Sequence, residues 1–487
     1  MCREAGGGRR PIHPKFARLR RPQSTPISLG HVHSEHQSTD MAQQFLDPLD
    51  VSKLSPVNRE NLSILKQRMK KVTGDHVPSN MLEDHYLHQW LKARKYDVDK
   101  AEELLKTHIR YRNALKMNAP GYATSPPACP ALLKYWPRGH FGFGREGHPI
   151  VYFPLGCADA RGLPASVKLS DGLRTILWFQ EDRRRCCKEA SQKFGKPIYQ
   201  VIYILDLEGL GLKHMYKPGM EMFQQIARLV ECQTPELIYK MFIINAPQIF
   251  ALFFNFVSGI LDEATKRKMS VFGQNGWKEA LQKEAEADQI PAHYGGTATG
   301  PGDDAKCLHA ICYGGVVPTS AYFEREGRVE RLLPPGAELT SLCVSAGKAA
   351  RLYINLPSPN MLLYWFWEST GSGHNDLGFG VYRLPADSEL PDPAMEAAAP
   401  LVEEGGWEMV VPAFRLLTHL VPEWGCLEAQ EPGIYVLVWD NSYSWIKAKE
   451  IGYYVGSADA ASSEAEFFLK TREPSIASSA SNQPAPQ

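Results

Sequence analysis

An excess of charge of either sign is missing from this chain. Its 54 lysines and arginines balance 54 aspartates and glutamates over 487 residues. Nucleic-acid binders usually carry a basic excess, so nucleic acid is not an expected partner. Long apolar runs are missing too. No stretch reaches the roughly 18 residues that would suggest a transmembrane helix. Residues 1–40 have few apolar residues and little acid, and they lack the apolar core of roughly 7–15 residues that a signal peptide needs. Arg9, Pro11, Pro14 and Pro22 there fit a disordered tail, with an Arg-rich transit peptide as the other reading and Met41 as an alternative start. The ten cysteines form no paired framework, and only Cys186 and Cys187 are adjacent. That favours reduced thiols and a cytoplasmic location. GxSxG, HExxH, Walker and kinase motifs are all absent, and nothing pairs a nucleophile with a base. An enzyme is therefore not expected, and neither a cofactor nor a bound metal is called for. There is no internal repeat. The length suits two or three domains, and the 44% apolar content is ordinary for a globular protein.

The most informative stretch is 243–261, IINAPQIFALFFNFVSGIL. A strand-like apolar run reaches Asn245, and Ala246 and Pro247 then open a helix. Ile249, Phe250, Phe253, Phe254, Val257, Ile260 and Leu261 make one stripe at helical spacing, while Leu252 and Phe256 cover much of the rest. A helix apolar all round is either buried in a large core or faces lipid. At about fifteen residues it is too short for a bilayer, which needs roughly 20. Lys266, Arg267 and Lys268 follow directly. A greasy helix beside basic residues fits an interior helix, a helix lying on a membrane surface, or the cover of a lipid pocket.

Around this segment the periodicity divides the chain. Residues 55–116 read as helices, with Leu62, Leu65, Met69 and Val72 at helical spacing and Asp97 near the N-cap of a helix carrying Ala101, Leu104, Leu105 and Ile109. Prolines and Gly121 mark 118–130 as a linker. From 140 to 297, strands at 149–153, 198–205, 240–244 and 268–272 alternate with helices at about 168–193, 218–232, 249–265 and 277–285. That alternation predicts a mostly parallel sheet with crossover helices, its strands buried on both faces. After Thr297, short alternating runs separated by Gly and Pro predict an antiparallel β-sandwich of roughly 150 residues. Its dense aromatics, among them Tyr364, Trp365, Phe366, Trp367, Tyr435, Trp439, Tyr443 and Trp445, belong mostly to a core. An exposed subset would mark a partner surface. The Ala-, Ser- and Pro-rich stretch from Ser457 onward reads as a second tail.

Three smaller patterns carry bland readings. Gly142-x-Gly144-x-x-Gly147 imitates a dinucleotide fingerprint, but it precedes its strand instead of following one, so a hairpin-like turn is expected. Cys307-x-His309-x-x-Cys312 offers three metal ligands without a fourth, and strand alternation explains it better than structural zinc. Arg183, Arg184 and Arg185 with Lys188 read as a solvated helix face, with contact to anionic lipid as the alternative.

Several segments together resemble a known architecture. HQWLKARKYDVDKAEELLKTHIRYRNAL resembles the helical segment that precedes the CRAL-TRIO lipid-binding domain. LDLEGLGLKHMYKP, IINAP and IPAHYGG resemble hallmarks of that domain, and EPGIYVLVWDNSYSWIKAKEIGYYV resembles the end of a GOLD β-sandwich. The three-part order is similar to the animal supernatant protein factor and tocopherol-associated protein group, over about residues 50–456. The resemblance implies a multidomain chain: a disordered tail (1–50), a helical segment (51–118), an α/β CRAL-TRIO domain with a mostly parallel sheet (125–297), a GOLD-like antiparallel sandwich (300–456) and a tail (457–487). It also implies a cytosolic lipid carrier without catalysis. Tyr203, Phe242 and Ile244 would belong to the cavity floor. Ile249, Phe250, Phe253, Phe254, Val257, Ile260 and Leu261 would belong to a gate helix that covers the lipid and opens at a membrane. Lys266, Arg267 and Lys268 would touch the membrane during transient peripheral association. Burying an acyl chain contributes roughly 0.8 kcal/mol per CH₂, enough to hold a long chain non-covalently.

The resemblance has departures. Family members that bind phosphatidylinositol carry a Glu and a Lys where this chain has Gln225 and Ser258, so a phosphoinositol headgroup would lose a charged partner at each. A tocopherol, retinoid, squalene or neutral-headgroup phospholipid is expected instead. The usual acid before the Tyr-Gly-Gly is His293. The alternative function is a lipid-sensing adaptor that recruits a protein partner through the GOLD domain.

Overall fold

The structure is a computed structural model, and it describes residues 50–73, 78–122, 126, 129–324, 329–371, 376–391, 395–399 and 406–472. The expected N-terminal tail and residues 473–487 lie outside the described residues, as does the side chain of Val72. The N-terminal segment is three helices, α1 (Pro56–Thr73), α2 (Asp84–Ala93) and α3 (Val98–Ala114). They bury Leu62, Leu65, Met69, Leu87, Trp90, Leu91, Ala101 and Leu105 against one another. Asp97 is the N-cap of α3, its carboxylate accepting from the Lys100 amide at 3.2 Å, one of the orphan donors that every helix start must satisfy.

The α/β domain follows. After α4 (Pro130–Tyr135) its elements run β1 (Arg138–Phe143), β2 (Pro149–Phe153), α5 (Gly162–Ser166), α6 (Leu169–Phe194), β3 (Val201–Asp206), α7 (Lys217–Gln233) and β4 (Ile238–Ile244). They continue as α8 (Phe250–Ser258), α9 (Glu263–Arg267), β5 (Met269–Val271), α10 (Trp277–Glu284) and β6 (Ile311–Cys312). The sheet order is β5-β4-β3-β2-β1-β6. β2, β3, β4 and β5 run parallel, while β1 is antiparallel to β2 and β6. The mostly parallel sheet is as expected. The glycine pattern runs from the irregular end of β1 through the turn to β2, with Gly142 at φ +71° and Gly147 at φ +85°. Gly142 could not carry a Cβ, which would lie 2.0 Å from the Gln289 carbonyl oxygen.

Three expectations are corrected by the fold. The sheet continues past 297, because β6 pairs with β1. Cys307-x-His309-x-x-Cys312 is therefore a turn leading into a two-residue strand at Ile311–Cys312, not one alternating strand. The helix expected over 249–265 is two. α8 stops at Ser258, and Asp262 starts α9 by capping it through the Thr265 amide.

Beyond α11 (Val329–Leu332) lie two antiparallel sheets. One has the order β11-β8-β14-β10-β12, the other β13-β9-β15-β7. Their strands are β7 (Thr340–Val344), β8 (Ala349–Leu356), β9 (Leu362–Ser369), β10 (Asp376–Arg383), β11 (Met395–Ala399), β12 (Glu408–Leu417), β13 (Glu423–Glu428), β14 (Gly433–Asp440) and β15 (Lys449–Ala458). Trp365, Trp367, Phe379, Tyr435 and Trp439 are buried within one hydrophobic cluster of the sandwich. That cluster continues without a break into Leu173, Ile176 and Met222 of α6 and α7. The tail expected from Ser457 onward is corrected over its first part. β15 runs to Ala458, and α12 (Ser463–Arg472) follows. Phe468 of α12 is fully buried and stacks on Tyr364 at 4.6 Å between centroids.

Candidate functional site

The two faces of the parallel sheet have different neighbours. Side chains alternate along a strand, and parallel pairing places Phe153 beside Leu205, Leu205 beside Ile243, and Tyr203 beside Met241. These residues, with Met269 of β5, floor a cavity of about 190 Å³. The alternate residues Ile150, Tyr152, Ile202, Ile204, Phe242 and Ile244 pack on the opposite side against Trp277, Leu281 and Tyr294. Phe242 and Ile244 were expected in the floor. Strand period puts them on the far face, and Met241 and Ile243 occupy the floor in their place.

Helices supply the walls. α6 contributes Ile176, Phe179, Gln180 and Arg183, and α7 contributes Phe223, Ile226, Val230 and Glu231. α8 closes the cavity with Phe250, Phe253 and Phe254, and Leu261 follows just beyond it. Ile249 and Ile260 do not line it; both are half-buried. The Val257 side chain lies outside the described residues. Leu252 points the other way and is 60% exposed. The greasy helix is thus two-faced, with phenylalanines inward and Leu252 outward.

The path into α8 is set by Asn245. Its φ of +54° turns the chain out of β4, a conformation Asn tolerates better than most residues. Its Nδ2 donates to Asp206 Oδ1 at 2.8 Å. Two bonds from α7 hold the far end: Gln224 Nε2 donates to the Phe256 carbonyl at 2.8 Å, and the Asp262 amide donates to Glu231 Oε1 at 3.3 Å. The helix is attached by few polar contacts and by apolar packing, including Phe223 against Phe253 at 5.4 Å between centroids.

The charged groups depart from the sequence reading. Lys268 turns inward, borders the cavity and bonds Glu236 at 2.8 Å, and Glu236 also faces Lys92 at 3.6 Å. Lys266 pairs with Glu263 at 2.8 Å, while Arg267 is exposed. Three consecutive residues at a helix end point about 100° apart, so one run of cations does not make one surface. The solvated face expected for Arg183, Arg184 and Arg185 is likewise corrected. Arg184 and Arg112 converge on Glu181, with Arg112 at 2.8 Å. Arg185 pairs with Asp182 and Glu189, and Arg183 lines the cavity. Lys188 remains exposed. Glu231 is pushed up to about 7 by burial and then by the nearby Asp262 charge.

Gln225 is buried on α7 and is not part of the cavity wall. Ser258 ends α8, its hydroxyl donating to the Asn255 carbonyl at 3.3 Å. His293 stacks edge-on against Tyr294 at 4.8 Å between centroids. Its ring nitrogen and the carboxylates of Asp206 and Glu208 lie within 4.8 Å of one another. The oxygens of Asp206 already accept from Asn245, the Glu208 amide and Tyr294. Gln180 and Arg183 are among the cavity residues that sequence reasoning did not assign to it. Their i, i+3 spacing, with Ile176 and Phe179 on the same stretch, is the signal that places them on one face of α6.

The comparisons with known proteins fit this geometry. The family model for the CRAL/TRIO domain matches residues 133–296, which span α4 to α10 and the sheet flooring the cavity. Relatives include Protein ctg-1 of Caenorhabditis elegans, 29% identical over 78% of this chain and 92% of its own length. Protein real-time of Aedes aegypti is 27% identical over 70% of this chain, and the CRAL-TRIO domain-containing protein T23G5.2 of C. elegans is 26% identical over 77%. The match spans about half the length of each of these last two, 51% in both cases. Among solved structures, Sfh5 aligns at 14% identity and a TM-score of 0.36, over 59% of this chain and 93% of that one. Residues 133–296, which hold the cavity and most of its sheet, thus match the CRAL/TRIO domain model, and they are set between an N-terminal helical segment and a C-terminal antiparallel β-sandwich.

Proposed function

We propose that this protein is a cytosolic carrier that binds a hydrophobic lipid in the cavity beneath α8 and exchanges it with membranes. The observation that carries this reading is a cavity walled by apolar side chains and closed by one short helix. Its outward Leu252 is 60% exposed. Ligand pockets typically hold roughly 300–1,000 Å³, and this one is about 190 Å³. A long lipid therefore enters only when α8 moves. The inner face of α8 covers the ligand when shut, and when open the same phenylalanines, with Leu252, reach the membrane interface. Arg267 is placed to assist, whereas Lys266 and Lys268 are held in ion pairs. No bond is made or broken; the cavity substitutes for the bilayer.

By the family resemblance, Gln225 and Ser258 stand where phosphatidylinositol binders carry a Glu and a Lys, so a tocopherol-, retinoid- or squalene-like ligand, or a neutral-headgroup phospholipid, is favoured. Native mass spectrometry with lipid extraction, on protein purified from eukaryotic cells, tests this. A stoichiometric hydrophobic lipid is expected. Recovery of tightly bound, competable phosphatidylinositol would overturn the headgroup reading, and an empty cavity would weigh against the carrier.

A second reading has its own observation. Trp445 and Ile446, between β14 and β15, are 96% and 94% exposed, and paired bare apolar side chains are unusual away from an interaction site. A GOLD-like sandwich that presents them to a protein partner would make the chain a lipid-sensing adaptor. Ligand-dependent partner capture, with no lipid transfer between vesicles, would favour it.

A further inference from the structure

Apart from the acid–base pairs already described, the cavity wall holds one unexplained feature. Arg183 of α6 lines it half-buried, its guanidinium 5.3 Å from the centroid of the Tyr203 ring in the floor. Among the described residues, Arg183 has no ion pair and no hydrogen bond. The acids around it are engaged: Glu181 by Arg112 and Arg184, Asp182 by Arg185. Glu236, which borders the same cavity, is held by Lys268 and Lys92. A second cation lies behind the wall, outside the lining itself. The Arg138 guanidinium lies 4.0 Å over the Phe179 ring and bonds only the Leu133 and Trp136 carbonyls. Burial disfavours the Arg138 cation, and the field of Arg183 disfavours it further.

One turn earlier on α6, Gln180 lines the same cavity at 3% exposure, and its Oε1 is buried without a partner. An unpaired cation beside an apolar space costs free energy unless a counter-charge arrives, and so does a buried amide with no partner. An oxyanion that accepts from the guanidinium relieves the cation, and with the Gln180 amide turned over, so that its nitrogen stands where the unpartnered Oε1 is, the same oxyanion accepts from the Gln180 N–H as well.

We propose that Arg183, with Gln180 beside it, is a subsite for an oxyanion at the polar end of the lipid, so that this cavity selects a single-chain acidic amphiphile over its neutral counterpart. The small cavity favours one chain. Within the carrier reading this narrows the ligand to lipids that carry an acid, in place of the neutral ones favoured from Gln225 and Ser258 alone. The proposal rests on the carrier reading above.

The test is competition for the full chain loaded with a fluorescent long-chain fatty acid. The competitors share one chain length: the fatty acid, the fatty alcohol and the lysophosphatidate. The oxyanion forms are expected to compete about 10- to 100-fold better than the alcohol, as charge-assisted hydrogen bonds of this kind would give. Arg183→Leu should abolish that preference while the variant still binds the alcohol, which also shows that it folds. Gln180→Glu should weaken the acids by placing a like charge beside them. A preference for the fatty acid assigns a carboxylate to the subsite; a preference for lysophosphatidate alone assigns a phosphate. Equal affinity for acid and alcohol in the unmodified protein, or a preference that survives Arg183→Leu, overturns the subsite while leaving the carrier intact. Failure of all three to bind overturns the carrier reading and the subsite with it.

Discussion

Glu231 has one oxygen on the Asp262 amide where the cover of the cavity ends, and its carboxyl is pushed up to about 7, first by burial and then by Asp262. A free glutamate titrates near 4.3. Between about pH 4.3 and 7 the folded state therefore holds a proton that the unfolded state has lost. The stability this provides is complete below the lower value and is lost as pH rises through the upper one. Glu231→Gln should remove that dependence. Thermal unfolding at about pH 5 and about pH 8 checks it: the variant's advantage over the unmodified protein should be larger at the higher pH. An advantage that does not grow with pH would show that Glu231 titrates normally.

At the scale of the element, α8 shows how far a hydrophobic pattern determines a helix. Its composition demands apolar contact nearly all round, yet only one face meets protein. Phe250 and Phe253 are buried and Leu252 is not. Exposed substitutions away from special features usually change stability by less than about 0.5 kcal/mol. Leu252→Asp should therefore leave the melting temperature nearly unchanged while weakening association with phospholipid vesicles, read by flotation. Unaltered vesicle binding would mean that the outward face of α8 is not what meets the bilayer.

For the whole molecule, the continuous cluster between α6, α7 and the sandwich matters most. Phe414 of β12 packs edge-on against Tyr111 of α3 at 5.7 Å between centroids, and the Tyr111 hydroxyl donates to the Ala413 carbonyl. Loose inter-domain contacts allow independent melting, whereas a shared apolar core couples the parts. Calorimetry of the full chain is expected to give one main unfolding transition. Phe414→Ala, which removes roughly 3–5 kcal/mol of buried contact, should lower that transition or split it. Two well-separated transitions in the unmodified protein would show that the cluster does not couple the domains.

Local periodicity was sufficient for the three-part architecture, because the strand period of 2 and the helix period of 3.6 are written in the order of apolar residues. β2 at Pro149–Phe153, the N-cap at Asp97 and the turn at Gly142 to Gly147 were all legible in this way. So was the inward set Phe250, Phe253 and Phe254, since helical spacing alone puts them on one stripe. In a strand buried on both faces, however, every residue is apolar, and the pattern does not say which face meets the cavity. Only the helices packed on each side placed Met241 and Ile243 in the floor and Phe242 and Ile244 behind it. The same holds for charge. The run at Lys266, Arg267 and Lys268 and the one at Arg183, Arg184 and Arg185 each read as a single surface in one dimension. Their acids, Glu236, Glu263, Glu181 and Asp182, decided which cations are neutralised and left Arg183 facing the cavity. Periodicity is a local property and the chain carries it; the partner of a charge and the side of a sheet that holds a cavity are set by segments far apart in sequence, and only packing brings those together.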